Sequence, residues 1–359
     1  MPEIKEFKNI AVIQTAFLGD VALALPLVQA IRNYSKDAII TFVTTPLAVP
    51  LVSAAKAVNY AVAFDKRNMQ KGLKGIKSIA AVLKQKNIEC IIAPHRSLRT
   101  TLIKSLAKPA FSVGFDRNAL SRCYHSRIVY NRELHETERN LSLLRAFSDY
   151  SYILRDSNIS VELDIAHSDI DYIRNLLSVN AVGSGPYVVL APGSVWNTKR
   201  WKEEHYIELA KQLPSAGLAP VLTGSKSDQP LCNLIADRSG AVNLSGMTTL
   251  PQSIALLSSA GALVTNDSAP THLAGLAGCP TITIFGPTVP AYGFAPRGKN
   301  DRVVEIEGLK CRPCRIHGSN RCPVRTHECM TSITPERVLM EVLSVIAVSG
   351  QSENNLNFK

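Results

Sequence analysis

Three segments of this chain set a glycine turn or a strand end beside a carboxylate, a hydroxyl or a cation. The first, TAFLGDVALALP, follows a strand-like run and places Gly19 before Asp20 at the mouth of a helix. An aspartate there serves as an N-cap, and an ionised carboxylate at a strand end can also take a proton from an acceptor hydroxyl. The second, APGSVWNTKRW, combines a glycine turn, the hydroxyl of Ser194 and the adjacent cations Lys199 and Arg200. A pyrophosphate needs close backbone approach and fixed cations. Lys199 is suited to stabilising a diphosphate leaving group without a metal, whereas Arg200 reads equally as a surface cation opening a helix. The third, VTNDSAPTHLAGLAGCPTITIFGPT, ends a strand in Asn266 and Asp267, then opens a helix at Ser268 that includes His272. Free N–H groups at such a helix start bind anions, and Asp267 can accept bonds from sugar hydroxyls. Asp267 and Ser268 are also ordinary helix-start residues, and His272 also reads as a structural histidine.

A fourth cluster, CRPCRIHGSNRCPVRTHEC, holds Cys311, Cys314, Cys322 and Cys329. The CxxC spacing lets two thiolates share a zinc ion, and the other pair can complete a tetrahedron, with His317 and His327 as substitutes. A structural zinc loop and a reduced or partly oxidised loop are both open readings, and either is structural. Cys90, Cys123, Cys232 and Cys279 lie in apolar sequence and read as small core residues.

The elements that must position these residues alternate strand-like and helix-like: NIAVIQ, DVALALPLVQAIRNY, AIITFVTT, LAVPLVSAAKAV and YAVAF, with a second set from YVVLAPG through TITIFGPT. That rhythm predicts βαβ units and two α/β domains with parallel sheets, each presenting its strand ends to a cleft. The expected boundaries are 1–165 for the first domain, 166–186 for a linker with one helical stretch, and 187–331 for the second domain. A C-terminal helix over 332–349 and a frayed tail over 350–359 follow. The first turn lacks GxGxxG, which counts against a dinucleotide-binding dehydrogenase.

The 359 residues carry a net charge of +11, are 46% hydrophobic and 19% charged, and contain no uninterrupted apolar run long enough to cross a membrane. A cytoplasmic protein is expected. The charge is uneven: residues 1–165 hold 23 Lys and Arg against 14 Asp and Glu, the remainder 17 against 15. From Lys66 to Lys108 eleven basic residues face a single acid, Glu89. Such a stretch suits an anionic partner or a well-solvated helix face.

Together these segments resemble glycosyltransferase family 9, the ADP-heptose:lipopolysaccharide heptosyltransferases, over nearly the whole chain. FLGDVALALP, APGSVWNTKRW with HYIELAKQL, LTGSKSD, NLSGMTTL and TNDSAPTHLAGLAGCPTITIFGPT carry the likeness in order. The form TKRW is nearer to the members that add the second heptose (heptosyltransferase II-like). The resemblance implies a GT-B fold of two facing Rossmann-like domains and inverting transfer from ADP-heptose to a lipid A–Kdo–heptose acceptor. It casts Asp20 as base, Lys199 as phosphate contact and Asp267 as contact to the donor heptose. Ser194 and the backbone of Ser268, Ala269 and Pro270 would hold the diphosphate, with Arg200 and His272 nearby. Ser225–Asp228 and Met247–Thr249, with Met247 and Thr248 as donor-binding residues, would flank the adenosine, with Asp228 on the ribose; some members carry glutamate where Lys226 stands. Arg96, Arg99 and Lys104 are the acceptor candidates. No cofactor is implied for catalysis, only the structural zinc, and peripheral contact with the inner membrane surface is expected. The alternatives are a GT-B transferase or epimerase using another sugar nucleotide, or a basic nucleic-acid-binding protein with a zinc loop. With aromatic residues at only 6%, stacking platforms are scarce and no nucleic-acid partner is expected.

Overall fold

The computed structural model describes residues 1–154, 159–182 and 185–356, by backbone alone from 349 on. The chain divides into two compact units, Met1–Asp164 and Ile165–Lys359.

In the first unit, β1 (Asn9–Ile13), α1 (Leu18–Tyr34), β2 (Ile39–Thr44), α2 (Val49–Ala54), β3 (Tyr60–Ala63) and α3 (Gly72–Gln85) lead to β4 (Cys90–Ala93) and α4 (Leu98–Ala107). β5 (Phe111–Phe115), β6 (Ser126–Ile128), α5 (Glu136–Ser142) and α6 (Tyr150–Ile153) complete it. The six strands are parallel in the order β3-β2-β1-β4-β5-β6. β4, and β1 after its first residue Asn9, are apolar and buried because helices cover both faces of a parallel sheet. α3 lays Ile76, Ile79, Ala80 and Leu83 against Ile91 and Ile103, and turns its lysines outward.

The second unit repeats the plan with α7 (His167–Val179), β7 (Tyr187–Ala191), α8 (Glu203–Gln212), β8 (Ala219–Leu222), α9 (Gln229–Ser239), β9 (Val242–Asn243) and α10 (Leu250–Ser258). β10 (Ala262–Asn266), α11 (Ala269–Ala277), β11 (Thr281–Phe285), β12 (Arg302–Glu305), α12 (Glu328–Thr331) and α13 (Pro335–Leu356) follow. The strand order is β12-β11-β10-β7-β8-β9. Both sheets therefore have the Rossmann order 3-2-1-4-5-6, reversing between β1 and β4 and between β7 and β10.

Three expectations need adjustment. The stretch expected to link the domains contains α7, which packs on α10 in the second unit; Asp169 accepts a hydrogen bond from Gln252 at 2.9 Å. Gly183 and Ser184 of the breaker cluster lie outside the described residues. Of the tail expected to fray over 350–359, α13 takes in the residues up to Leu356, and residues 357–359 lie outside the described residues. Cys123 is exposed: it ends a 3-10 turn, Ser121–Cys123, on the surface.

No helix among the described residues is long and apolar enough to cross a membrane.

Candidate active site

The reversal of strand order leaves a crevice at the carboxyl ends of the strands flanking it. In the first unit those ends carry Thr15 and Asp20 after β1, and His95 and Arg96 after β4. α1 starts at Leu18 with Phe17 as its N-cap residue, so Asp20 is the third helical residue, and its Oδ2 accepts the Phe17 N–H at 3.2 Å. The aspartate is thus the acidic half of a capping box, which fixes its carboxylate at the helix mouth. Thr15 Oγ1 and Thr100 Oγ1 lie 2.9 and 3.2 Å from His95 Nδ1. Lys66, following β3, donates to the Thr15 carbonyl. Burial drives the His95 imidazole down to about 4, and Lys66, Arg96 and Arg99 push the same way, so the ring is neutral at physiological pH. Lys66 is itself lowered, first by burial and then by Arg99 and Arg67, with Asp20 opposing. The result is a cationic crevice around Asp20.

Arg96 lies with its guanidinium 3.9 Å over the Tyr130 ring, and both Arg96 and Arg99 are exposed. Lys104 is different. Thr100, Ile103, Lys104 and Ala107 form the buried face of α4, and Nζ of Lys104 donates to the Cys123 carbonyl. Five residues beyond Arg99 the helix has turned well past one revolution, so the lysine faces inward and holds the Cys123 turn. Lys66 and His95 occupy the crevice that Lys104 was expected to reach. Glu136, at the first turn of α5, is buried with Arg139 3.3 Å away. Burial raises its carboxyl to about 7; Arg139 and Arg96 oppose this and Asp20 adds to it.

In the second unit the equivalent crevice holds Ser194 after β7 and Asp267 and Ser268 after β10. Lys199, on the 3-10 turn Asn197–Lys199, places Nζ 2.6 Å from Asp267 Oδ2, with both side chains largely buried. Thr288 Oγ1 donates to the same carboxylate oxygen at 2.6 Å. Behind it, Arg312 donates to the Thr288 carbonyl at 2.7 Å and to the Ile306 carbonyl, and is paired with Glu305. A chain of charge-assisted contacts therefore runs Glu305, Arg312, Thr288, Asp267, Lys199. Arg200 Nε donates to the Ser194 carbonyl at 2.9 Å, which braces the turn after β7. Asn266 ties that turn to β10, accepting from Trp201 N–H and donating to the Pro192 carbonyl, each at 2.9 Å.

Ser268 precedes α11 without capping it; its hydroxyl donates to the Asn266 carbonyl at 3.3 Å. Ala269 and Pro270 form the first turn, and His272 lies 6.5 Å from the Phe294 ring. Asp228 follows β8, with Oδ2 accepting from the Ser225 amide and hydroxyl at 2.9 and 2.6 Å. A Cβ on Gly193 would stand 2.5 Å from Asp228 Oδ1, so glycine leaves room for the Asp228 carboxylate against the β7 turn. Met247 and Thr248 follow β9: Met247 is exposed and its carbonyl accepts from Tyr172, while Thr248 bonds to Ser253 at 2.9 Å. Ser194, Lys199, Asp228, Met247, Thr248, Asp267 and Ser268 thus all lie at the carboxyl edge of one sheet.

The cysteine loop lies beside Lys199. Thr198 exchanges hydrogen bonds with Ser319 at 2.7–3.0 Å, His327 Nε2 is 2.8 Å from the Thr198 carbonyl, and a Cβ on Gly318 would sit 3.1 Å from Lys199 Cγ. Cys311, Cys314, Cys322 and Cys329 are free thiols near enough to influence one another, and burial raises Cys329 to about 11. Among the described residues no group of three or more His, Cys, Asp or Glu is arranged to hold a metal. The loop's observed work is to clamp the Lys199 turn through Thr198. A cavity of about 400 Å³ behind that turn is lined by Arg200, Glu203, Asn320, Cys322 and His327, away from Ser194 and Asp267.

Thr288, Arg312, Ser319, His95 and Lys66 act here without a local sequence signal. Only the basic stretch from Lys66 to Lys108 takes in two of them, Lys66 and His95.

Residues 76–323 match the model of glycosyltransferase family 9 (heptosyltransferase). The chain is 24% identical to lipooligosaccharide heptosyltransferase 2 of Haemophilus influenzae, covering 94% of this chain and 99% of that protein. A solved structure described as Escherichia coli ADP-heptose lps heptosyltransferase II superposes with a TM-score of 0.78 at 24% identity, covering 95% of this chain and 99% of that one. A glycosyltransferase family 9 structure from Veillonella parvula gives a TM-score of 0.84 at 18% identity, covering 97% and 98%. These structural matches agree with the GT-B architecture of two Rossmann-like units. The matched residues take in both α4 and the whole Lys199–Asp267 crevice, and the chain belongs to glycosyltransferase family 9, the heptosyltransferases, as a glycosyltransferase enzyme.

Proposed function

We propose that this enzyme transfers heptose, with inversion, from ADP-heptose to the heptosylated inner core of lipopolysaccharide, as a heptosyltransferase II-like enzyme. The observation that carries the proposal is the buried Lys199–Asp267 pair at the β7/β10 reversal, beside Ser194 and the start of α11. Lys199 has three N–H donors and spends two on Asp267, one on Oδ2 and one on its backbone carbonyl, which leaves the third for a diphosphate oxygen. The amides opening α11 add a positive dipole end. Asp267 keeps a second carboxylate oxygen for a sugar hydroxyl, and the Ser225–Asp228 and Met247–Thr248 turns suit an adenosine.

In the reaction, Asp20 takes the proton of the acceptor hydroxyl while that oxygen forms the new bond to the anomeric carbon. The bond from that carbon to the diphosphate oxygen breaks, and ADP leaves with its charge held by Lys199. All these groups belong to the chain itself. The cysteine loop, zinc-bound or not, acts only by holding Thr198 and Lys199. Lys66, Arg96 and Arg99 supply the cations for a phosphorylated acceptor, with Lys104 excluded by its burial. A cytoplasmic enzyme that meets a lipid-anchored acceptor at the inner membrane surface fits this assignment.

The test is acceptor-dependent ADP release with a heptosylated, Kdo-containing lipid A, followed by the mass of the acceptor. A gain of one heptose from ADP-heptose, and none from UDP-hexoses, supports the proposal. Nucleotide binding without transfer leaves the fold reading standing and removes the donor or acceptor assignment.

A further inference from the structure

The basic stretch of the first unit has a feature that acceptor recognition does not use. The loop 65–71 is a built turn: Asp65 accepts from the amides of Asn68 and Met69 at 3.1 and 3.2 Å, and its own amide donates to Gln70 Oε1 at 2.8 Å. Gly75 packs so closely under this turn that a Cβ would stand 2.0 Å from the Gln70 carbonyl oxygen. Yet the turn drives an apolar side chain outward: Met69 is 90% exposed, and Leu73, on the first turn of α3, is 65% exposed. Arg67, Lys71, Lys74 and Lys77 surround them, all exposed, and α3 contains no acid. Lys71 and Lys74 sit at the positive end of the helix dipole, a placement unfavourable for folding that favours an anionic surface. Interfacial binding combines inserted apolar residues with cations facing anionic headgroups. Nucleic acid is the poorer fit, because Met69 and Leu73 offer no stacking plane.

We propose that Met69 and Leu73, ringed by Arg67, Lys71, Lys74 and Lys77, form a docking surface for an anionic lipid bilayer. The same loop carries Lys66, whose Nζ reaches the Thr15 carbonyl beside Asp20, so docking at Met69 brings the bilayer surface to the edge of the Asp20 crevice. The inference rests on the proposed lipid-anchored acceptor for its purpose, but vesicle binding is measured without donor or acceptor and stands or falls separately.

The experiment is sedimentation of the full chain with vesicles of phosphatidylethanolamine and phosphatidylglycerol, against neutral phosphatidylcholine vesicles, near physiological salt. Wild type is expected on anionic vesicles only. Replacing Lys71, Lys74 and Lys77 with Gln should weaken partitioning by about fivefold per lysine. Met69→Ser with Leu73→Ser should release the protein while unfolding as wild type does. That variant should also keep its turnover on a water-soluble acceptor fragment and lose turnover on acceptor embedded in vesicles. Equal binding to neutral and anionic vesicles, unchanged partitioning of either variant, or tighter binding to mixed-sequence nucleic acid than to vesicles at the same salt would each overturn the proposal.

Discussion

Lys199 and Asp267, 68 residues apart in sequence, join at 2.6 Å through Nζ and Oδ2, and Thr288 donates to the same carboxylate oxygen. The pair is largely buried, so each partner depends on the other for compensation. Lys199→Ala is expected to destabilise the protein by about 3 kcal/mol, by leaving the aspartate without its cation. It should also lower kcat by roughly 10²–10³ through loss of leaving-group stabilisation. Denaturant unfolding and single-turnover kinetics read the two effects separately, and near-wild-type turnover would deny the lysine its role.

Thr288 aims Asp267 without itself reaching the crevice's other groups. Thr288→Val removes the hydroxyl but keeps the shape, and should cost about 1.5–3 kcal/mol of carboxylate hydrogen bonding. The expected signature is a lower kcat with ADP affinity nearly unchanged, and recovery in Thr288→Ser. A Ser variant as impaired as Val would point to packing instead.

Gly193→Ala puts a methyl group 2.5 Å from Asp228 Oδ1. The Asp228 carboxylate must then move off its place against the β7 turn, where the Ser225 amide and hydroxyl hold it, at about 1–3 kcal/mol. ADP affinity, measured calorimetrically, should fall by about tenfold, since the carboxylate proposed to contact the ribose is displaced. Unchanged affinity would remove Asp228 from the nucleotide site.

Two groups in the first unit give opposite pH dependences. Glu136, raised to about 7 by burial, is protonated in the folded state where the unfolded chain is ionised, so its contribution is full below about pH 4.5 and is lost as pH rises through 7. His95, lowered to about 4, contributes above about pH 6.5 and is lost as pH falls through 4. Between these limits the two slopes oppose each other. Arg139, Asp20 and Arg96 are the charges acting on Glu136. Glu136→Gln should therefore unmask a loss of stability on acidification from pH 6.5 to 4.5, of order 3 kcal/mol. His95→Gln should unmask the reverse slope. Equal pH profiles in all three proteins would contradict both assignments.

The α/β rhythm and the carboxyl-edge positions of Asp20, Ser194, Lys199, Asp267 and Ser268 were legible in sequence because strand, turn and helix-start residues are local signals. Asp20 differs in detail: it is the third residue of α1, since Phe17 takes the N-cap position and donates its amide N–H to the Asp20 carboxylate. Lys104 was misplaced because a charge in a basic run looks exposed, while the spacing of Thr100, Ile103 and Ala107 buries that face. Thr288, Arg312 and Ser319 were not legible at all. Their roles arise from packing between β11, β12, the cysteine loop and the Lys199 turn, which no local periodicity encodes. The cysteine spacing suggested zinc, yet the loop's contacts run through Thr198, Ser319 and His327.

The role of Asp20 as the base of heptosyl transfer is tested by comparing acceptor-dependent ADP release by wild type and Asp20→Ala, with ADP affinity determined for both. In the variant kcat is expected to fall by about 10²–10⁴, while ADP binding is retained and stability drops only by the roughly 1 kcal/mol of a lost helix cap. A variant that still transfers heptose at close to the wild-type rate would contradict that role.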